Sequence, residues 1–197
     1  MINKIVLASH NAHKLEEVRA ILNPLNIDVI GGNEAGISDI EETGTTFEEN
    51  AMLKARAAYQ QVQLPVLADD SGLCIKALDG KPGLYSARFA KEHGGYPAVF
   101  DTIWNLLKDQ SDWSAWFTCC LALKTGLTES EEHVFIGKMT GKIAQQASGT
   151  HLFGYDPIFI PDGYTETCGA LNPEIKNRIS HRADALKKIS DFLGKTL

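Results

Sequence analysis

Short, unbroken apolar runs alternate along this chain with longer segments of helical period. Ile5 to Ala8 is one such run, and apolar positions over residues 15–25 then recur every three or four residues. A run without polar alternation is typical of a buried strand, whereas the longer period is typical of an amphipathic helix. Further apolar runs follow at residues 66–68 and 115–123, so the pattern predicts an α/β fold.

The remaining segments predict a mixed sheet within a single domain over residues 1–197. Further strands are expected at residues 28–30, 73–75, 133–140, 143–145 and 157–160, and a helix over residues 100–107. Thr46 and Glu49 form the pattern of a capping box at the start of another helix. Near the C-terminus a helix is expected to begin at Asn172-Pro173.

Composition and local sequence patterns argue against several classes of protein. No apolar run reaches membrane-spanning length, and residues 1–4 lack the apolar region of a signal peptide. The four cysteines lack metal-type spacing, and the adjacent Cys119 and Cys120 fit a buried strand in a reduced, cytoplasmic protein. A net charge of −6 argues against broad nucleic-acid binding, although a small polyanion needs only a local cluster of cations.

Two adjacent carboxylates, Asp69 and Asp70, follow the apolar run 65–68 and precede Ser71-Gly72. Asp, Ser and Gly are ordinary turn residues, so one interpretation is a turn between two strands. Carboxylates at the end of a buried strand are also costly unless a cation compensates them. A divalent metal would do so and would make this strand end a reaction centre. This segment alone leaves both interpretations open.

Four other segments carry side chains suited to parts of a nucleotide, although each also fits a solvated polar surface or a turn. Ser9, Asn11 and Lys14 lie where a helix begins, a position that attracts anions. Asn50 and Lys54 share a helix face, and Glu41-Glu42 adds carboxylates upstream. The other two segments are residues 153–157, with an aromatic ring that could stack on a base, and the basic stretch 176–182.

The basic stretch makes a geometric prediction. In one regular helix Lys176, His181 and Arg182 would point to three different sides. They can converge only if the helix breaks near Ile179 and Ser180 caps a second helix.

Together these segments resemble the inosine/xanthosine triphosphate pyrophosphatase family. The matching stretches occur in the family's order across nearly the whole chain: residues 7–14, 41–51 with 54–55, 68–73, 82–89, 153–159 and 177–182. The chain departs from the family pattern at Leu152, at Gly169-Ala170 and over residues 90–97. The resemblance favours the metal site over the turn at Asp69-Asp70.

The resemblance implies an elongated mixed β-sheet flanked by helices, with two lobes and the active site in the cleft between them. It also implies a homodimer, Mg²⁺ as cofactor, and Asp70 as catalytic base, with Glu41 and Asp70 as metal ligands. Substrate contacts would come from Ser9, His10, Asn11, Ala12, His13, Lys14, Lys54, Ser71, Phe153, Gly154, Tyr155, Asp156, Lys176, His181 and Arg182.

The implied activity is hydrolysis of non-canonical purine nucleoside triphosphates such as ITP, dITP and XTP to the monophosphate and pyrophosphate. A 6-keto purine would accept hydrogen bonds from His181, Arg182 and backbone N–H groups, whereas the amino group of adenine would leave those donors unpaired. Two alternatives are a Maf-like pyrophosphatase acting on pyrimidine or modified nucleotides and a nucleotide-binding sensor without catalysis.

Overall fold

The computed structural model describes residues 2–194; Met1 and residues 195–197 lie outside the described part. Within that part six strands form one sheet in the order β2-β1-β3-β4-β5-β6. They are β1 Lys4–Leu7, β2 Asp28–Gly31, β3 Val66–Ile75, β4 Ser114–Lys124, β5 Glu132–Ile143 and β6 Phe159–Pro161. Strand β1 pairs in parallel with β2 and β3, whereas β5 and β6 are antiparallel, which confirms the mixed sheet.

Seven α-helices lie in the same described residues. They are α1 Ala12–Leu22, α2 Gly32–Ala35, α3 Phe47–Val62, α4 Ser86–Glu92, α5 Ala98–Leu107, α6 Pro173–Ile179 and α7 His181–Phe192. The predicted cap of α3 is present, because Thr46 Oγ1 accepts a hydrogen bond of 3.1 Å from the Glu49 amide. The Glu49 carboxylate accepts from the Thr45 amide, one residue earlier than a regular capping box would have it.

The predicted break in the C-terminal helix is confirmed. Helix α6 ends at Ile179, and Ser180 is extended, with its hydroxyl accepting a hydrogen bond of 3.0 Å from the Ala183 amide. Because α7 begins with a new cap, His181 and Arg182 do not continue the helical period that Lys176 sets.

The two strands expected at residues 66–68 and 73–75 are one continuous strand, so the interpretation of residues 69–72 as a turn is wrong. Strand β3 runs without interruption through all four residues. Glycine is a common turn residue, but at Gly72 a Cβ would lie 2.1 Å from the Gly83 carbonyl oxygen. The glycine is required because another backbone approaches the strand closely, not because the chain reverses.

The boundaries of two other strands also differ from the prediction. Strand β5 is continuous where two strands, 133–140 and 143–145, were expected. A Cβ at Gly141 would lie 2.2 Å from the Ile160 carbonyl oxygen, so this glycine too marks close packing against a neighbouring strand. The segment expected to be a strand from residue 157 begins with a single 3₁₀ turn, Asp156–Ile158, and β6 follows it.

The chain divides into two compact units. The first comprises residues 2–70, 119–137 and 180–194, and the second residues 71–118 and 138–179. The single-domain prediction also included Met1 and residues 195–197, which lie outside the described part. Each unit has its own apolar core, with Cys119 and Cys120 of β4 fully buried in the first. Among the described helices, none has both the length and the apolar character needed to cross a bilayer.

Candidate active site

The two adjacent aspartates of β3 have different environments because they lie inside a strand. Successive side chains of a strand point to opposite faces, so Asp69 and Asp70 are directed to different sides of the sheet. Both residues are buried, at 2% and 5% exposure. The two carboxylates can therefore have different partners and different roles.

Asp69 is the centre of a buried ionic network in the first unit. Its Oδ2 accepts from Arg182 Nε at 2.7 Å and from the Cys119 thiol at 3.3 Å, while its Oδ1 accepts from Lys14 Nζ. Arg182 is also paired with Glu17. Burial alone would raise the pKa of Asp69, but the charges of Arg182 and Lys14 hold it well below its usual value. Asp69 is therefore ionised, and it fixes the positions of the charged side chains of Lys14 and Arg182.

The carboxylate of Asp70 lies beside a lysine. Its Oδ1 is 3.7 Å from Lys54 Nζ, which also donates to the Asp69 backbone carbonyl at 2.7 Å and pairs with Glu42. Burial raises the pKa of Asp70 to about 6, with the nearby charge of Glu42 adding to the rise and Lys54 and Asn50 opposing it. In the metal-free protein Asp70 can therefore take up and release a proton near neutral pH, which is a property of general bases.

The other oxygen of Asp70 is suited to a cation. Its Oδ2 is buried, and no hydrogen-bond partner for it is found within residues 2–194. A buried carboxylate oxygen without a donor is costly, and a hard divalent cation would satisfy it. Across the same residues, no three His, Cys, Asp or Glu side chains form a ready metal cage. Magnesium does not need one, because it usually binds one or two carboxylates and keeps water and phosphate oxygens.

The acidic loop, residues 36–46 between α2 and α3, presents two glutamates, and the structure distinguishes them. Glu42 pairs with Lys54 and contributes to the electrostatics of Asp70, whereas Glu41, named from the resemblance as a metal ligand, is exposed. The amide of Gly44 donates to Asn50 Oδ1 at 2.7 Å, which fixes the end of the loop. The sequence does not distinguish two adjacent glutamates, so the role of Glu42 was missed.

The predicted phosphate-binding segment begins α1 in the first unit. Asn11 caps the helix by accepting a hydrogen bond of 3.2 Å from the Lys14 amide, and the Asn11 amide donates to Ser9 Oγ at 3.2 Å. Asn11, Ala12 and His13 are exposed. No acidic residue occupies the first turn of α1, so its amide groups and the Lys14 charge favour an anion.

The predicted nucleoside residues of the second unit form a compact cluster. The Lys176 ammonium pairs with Asp156 and lies 5.0 Å from the centroid of the Phe153 ring. The hydroxyl of Tyr155 donates to the Ser86 carbonyl at 2.8 Å, and burial raises the pKa of Tyr155. Gly154 has a φ of +57°, which glycine adopts readily. The cluster thus places a buried cation between a carboxylate and the face of an aromatic ring.

Three further predicted residues are placed as follows. Ser71 is half-buried in β3 at the start of the second unit. His181 is buried in the first turn of α7, and Arg182 beside it is 1% exposed in the Asp69 network. Sequence reasoning missed Glu17 and Cys119 as partners in this network. Nothing in their local patterns indicates it, because the contacts join residues that are far apart in the chain.

Comparisons of this chain with known proteins all indicate the same family. A family model described as the Ham1 family matches residues 5–192. A relative from Streptomyces avermitilis named dITP/XTP pyrophosphatase is 42% identical, with 100% of each chain covered. A Bacillus subtilis relative of the same name is also 42% identical, with 98% of each chain covered.

Solved structures agree with this result. A HAM1 protein from Coxiella burnetii superposes with a TM-score of 0.85 at 42% identity, covering 98% of this chain and 99% of that one. The Staphylococcus aureus Ham1 protein gives a TM-score of 0.83 at 40% identity, covering 97% and 98%. The predicted resemblance and the α/β fold are confirmed. The chain therefore belongs to the Ham1 family.

Proposed function

We propose that Asp70 is the general base of a nucleoside triphosphate pyrophosphatase that acts on non-canonical purines. The activity is that of the relatives named dITP/XTP pyrophosphatase, at about 42% identity over essentially the full length. The observation that carries the assignment is a buried Asp70 carboxylate with one unpartnered oxygen, a neighbouring lysine and a pKa raised to about 6.

The chemistry of the chain's own residues follows from their charges. Lys14 and Lys54 would neutralise triphosphate oxygens, which lowers the cost of adding electron density at the α-phosphorus. Asp70 would accept a proton from the attacking water while the water oxygen bonds to the α-phosphorus. The bond from the α-phosphorus to the bridging oxygen would break, and pyrophosphate would leave as an anion. Asp70 Oδ2 and Glu41 would hold Mg²⁺, which when bound supplies Lewis-acid stabilisation of the phosphates.

Two properties of Lys14 and Lys54 support their proposed roles. Each is already paired with a carboxylate, and their side chains are only 18% and 11% exposed. Their ammonium groups are therefore held in place before a ligand arrives, so little entropy is lost when they meet an anion.

Two expectations from the resemblance, magnesium as the cofactor and a homodimer, belong to the same proposal, together with the cytoplasmic location expected from the cysteines. For the dimer, sedimentation of the purified protein at micromolar concentration should give the mass of two chains. A mass that stays at 21.6 kDa would contradict it.

The central assay is pyrophosphate release from a panel of nucleoside triphosphates with and without Mg²⁺. We expect release from ITP, dITP and XTP only when the metal is present. Preferred release from pyrimidine nucleotides would favour the Maf-like alternative. Tight binding without release from any of them would favour a non-catalytic sensor.

Selection against adenine should be measurable as a rate ratio. We expect kcat/KM for ITP to exceed that for ATP by about 10²-fold or more, since the donors proposed for the base would face an amino group instead of a keto oxygen. These donors are His181, Arg182 and backbone N–H groups. Arg182 is already oriented by Asp69 and Glu17, so it cannot readily turn away from a mismatched base. Equal kcat/KM values for ITP and ATP would contradict this basis for selection.

The affinity for metal should depend on pH through Asp70. A protonated carboxyl binds a cation poorly, so below the pKa of about 6 the affinity for Mn²⁺, used as a spectroscopic substitute, should fall about tenfold per pH unit. Because the charge of Glu42 raises the pKa of Asp70, Glu42→Gln should move this decline to lower pH. The matched control is Asp28→Asn, at an exposed position that begins β2. A decline at the same pH in wild type and Glu42→Gln would contradict the assignment.

A further inference from the structure

The ring of His10 contacts the acidic loop instead of standing alone in the predicted phosphate-binding segment. His10 follows β1, and its Nε2 lies 2.8 Å from the carbonyl oxygen of Ile37. Its Nδ1 lies 2.9 Å from Asp39 Oδ1. Because a carbonyl oxygen only accepts hydrogen bonds, Nε2 is the donor in the first contact. One side chain thus joins two loops separated by 27 residues.

The two contacts of His10 are unequal. The Asp39 side chain is 98% exposed, and ion pairs of such exposed groups contribute little. Ile37 is buried, at 6% exposure, and packs in the core of the first unit. The hydrogen bond to the Ile37 carbonyl is partly buried, so losing it costs more than losing the contact with the exposed Asp39, and the Ile37 contact is the more important of the two.

Other contacts show that both ends of the acidic loop are fixed. Immediately after Ile37, the amide and hydroxyl of Ser38 both donate to Gln61 Oε1, at 2.9 and 3.1 Å. At the other end the Gly44 amide is held by Asn50. The exposed glutamates 41 and 42 lie between these two attachments, so the position of the first attachment determines where they can reach.

We propose that His10 is a positioning residue, which holds the acidic loop so that its glutamates face the cation site, and that it does not itself bind the triphosphate. The proposal rests on the proposed role of Glu41 in holding a metal. It reassigns one residue of the phosphate-binding segment: Lys14 supplies charge, whereas His10 supplies the connection between the two loops.

The test compares three substitutions of His10 by two measurements made without substrate. Hydrogen–deuterium exchange of residues 38–44 in the metal-free protein reports the attachment itself, and Mn²⁺ affinity reports its effect on the cation site. His10→Ala should speed exchange in that segment and weaken Mn²⁺ binding about three- to tenfold. The amide nitrogen of glutamine can reach the Ile37 carbonyl, so His10→Gln should restore most of the protection from exchange and most of the Mn²⁺ affinity. His10→Asn, which can reach only Asp39, should restore little.

Kinetics separate positioning from direct substrate binding. At saturating Mg²⁺, KM for ITP should stay within about twofold of wild type in His10→Ala, while the Mg²⁺ concentration for half-maximal rate rises about three- to tenfold. The control is Glu34→Gln, which breaks an exposed ion pair with Arg19 at α2 and should change none of these values.

Several outcomes would overturn the proposal. A raised KM with unchanged exchange in segment 38–44 would mean that His10 contacts the substrate directly. Rescue by His10→Asn but not by His10→Gln would assign the effect to Asp39. The exchange measurement needs no turnover. It therefore shows whether His10 holds residues 38–44 in place even if the protein releases no pyrophosphate from any nucleotide.

Discussion

Replacing Asp70 by asparagine is expected to remove most pyrophosphate release and, without metal at neutral pH, to make the protein more stable. The loss of activity follows because asparagine cannot accept the proton of the attacking water. General bases typically accelerate a reaction about 10²- to 10⁴-fold, so kcat should fall by at least about 10²-fold. Pyrophosphate release from ITP at saturating Mg²⁺ measures this directly.

The gain in stability follows from the raised pKa of Asp70. An acid whose pKa is higher in the folded than in the unfolded state destabilises the fold above the folded pKa, and the penalty disappears below the unfolded value. The rise in the pKa of Asp70 from 3.8 to about 6 corresponds to a folding penalty of at most about 3 kcal/mol at pH 7.5. Thermal unfolding in EDTA should therefore show a higher Tm for Asp70→Asn at pH 7.5, with the difference shrinking towards pH 4.

The two effects together distinguish a catalytic carboxylate from a structural one. An Asp70→Asn variant that is inactive and less stable would mean that the carboxylate supports the fold. Near-wild-type turnover would refute its role as the base. Excess Mg²⁺ should narrow the stability difference, since the metal binds the wild-type carboxylate and stabilises its folded state.

The neighbouring substitution, Asp69→Asn, is expected to have the opposite effect on stability. It leaves the buried guanidinium of Arg182 and the ammonium of Lys14 without their shared carboxylate. Removing one partner of a buried ion pair costs about 3–5 kcal/mol, and urea unfolding at pH 7 should show a loss of that size. The contribution of Asp69 to stability is fully present above pH 3.8, its pKa in the unfolded chain. It is lost only as the pH falls through the much lower pKa of Asp69 in the folded protein.

A surface ion pair provides the control for Asp69. Asp112 pairs with Lys76 at 2.8 Å, but both side chains are substantially exposed, and Asp112→Asn should change the free energy of unfolding very little. If Asp69→Asn were no more destabilising than Asp112→Asn, the buried network would have no structural importance. Reduced turnover in any folded Asp69→Asn protein is expected as well, because Lys14 would lose its orientation.

The sequence predicts most of the fold because apolar runs and helix caps are local signals. The strand predicted from the run Ile5 to Ala8, the cap at Thr46 and the helix break at Ser180 all depend on neighbouring residues. The structure has each of them, with the strand at Lys4–Leu7. The strand β3 was divided wrongly because Ser71-Gly72 has turn composition. The actual reason for Gly72 is the approach of Gly83, which is a tertiary contact that no local pattern shows.

The candidate site was predictable in its residue types but not in its pairings. The segment around Asp70 and Lys54 was identified from spacing and from the family resemblance. The resemblance singled out Asp70 as the base, but the pairing of Asp69 with Lys14 and Arg182 was not predicted, because it follows from the opposite directions of the two aspartates in a continuous strand. Likewise, the sequence suggests that His10 belongs with Asn11 and Lys14, whereas its ring contacts a loop that begins 27 residues later.

Hydrolysis of ITP in ¹⁸O-labelled water, followed by ³¹P NMR, tests the central claim most directly. If Asp70 activates a water that attacks the α-phosphorus, one ¹⁸O atom should appear in the monophosphate, and the pyrophosphate should be unlabelled. The Asp70→Asn variant should give almost no product of either kind. Label in pyrophosphate, release of inorganic phosphate as the first product, or equal turnover by the variant would contradict the account.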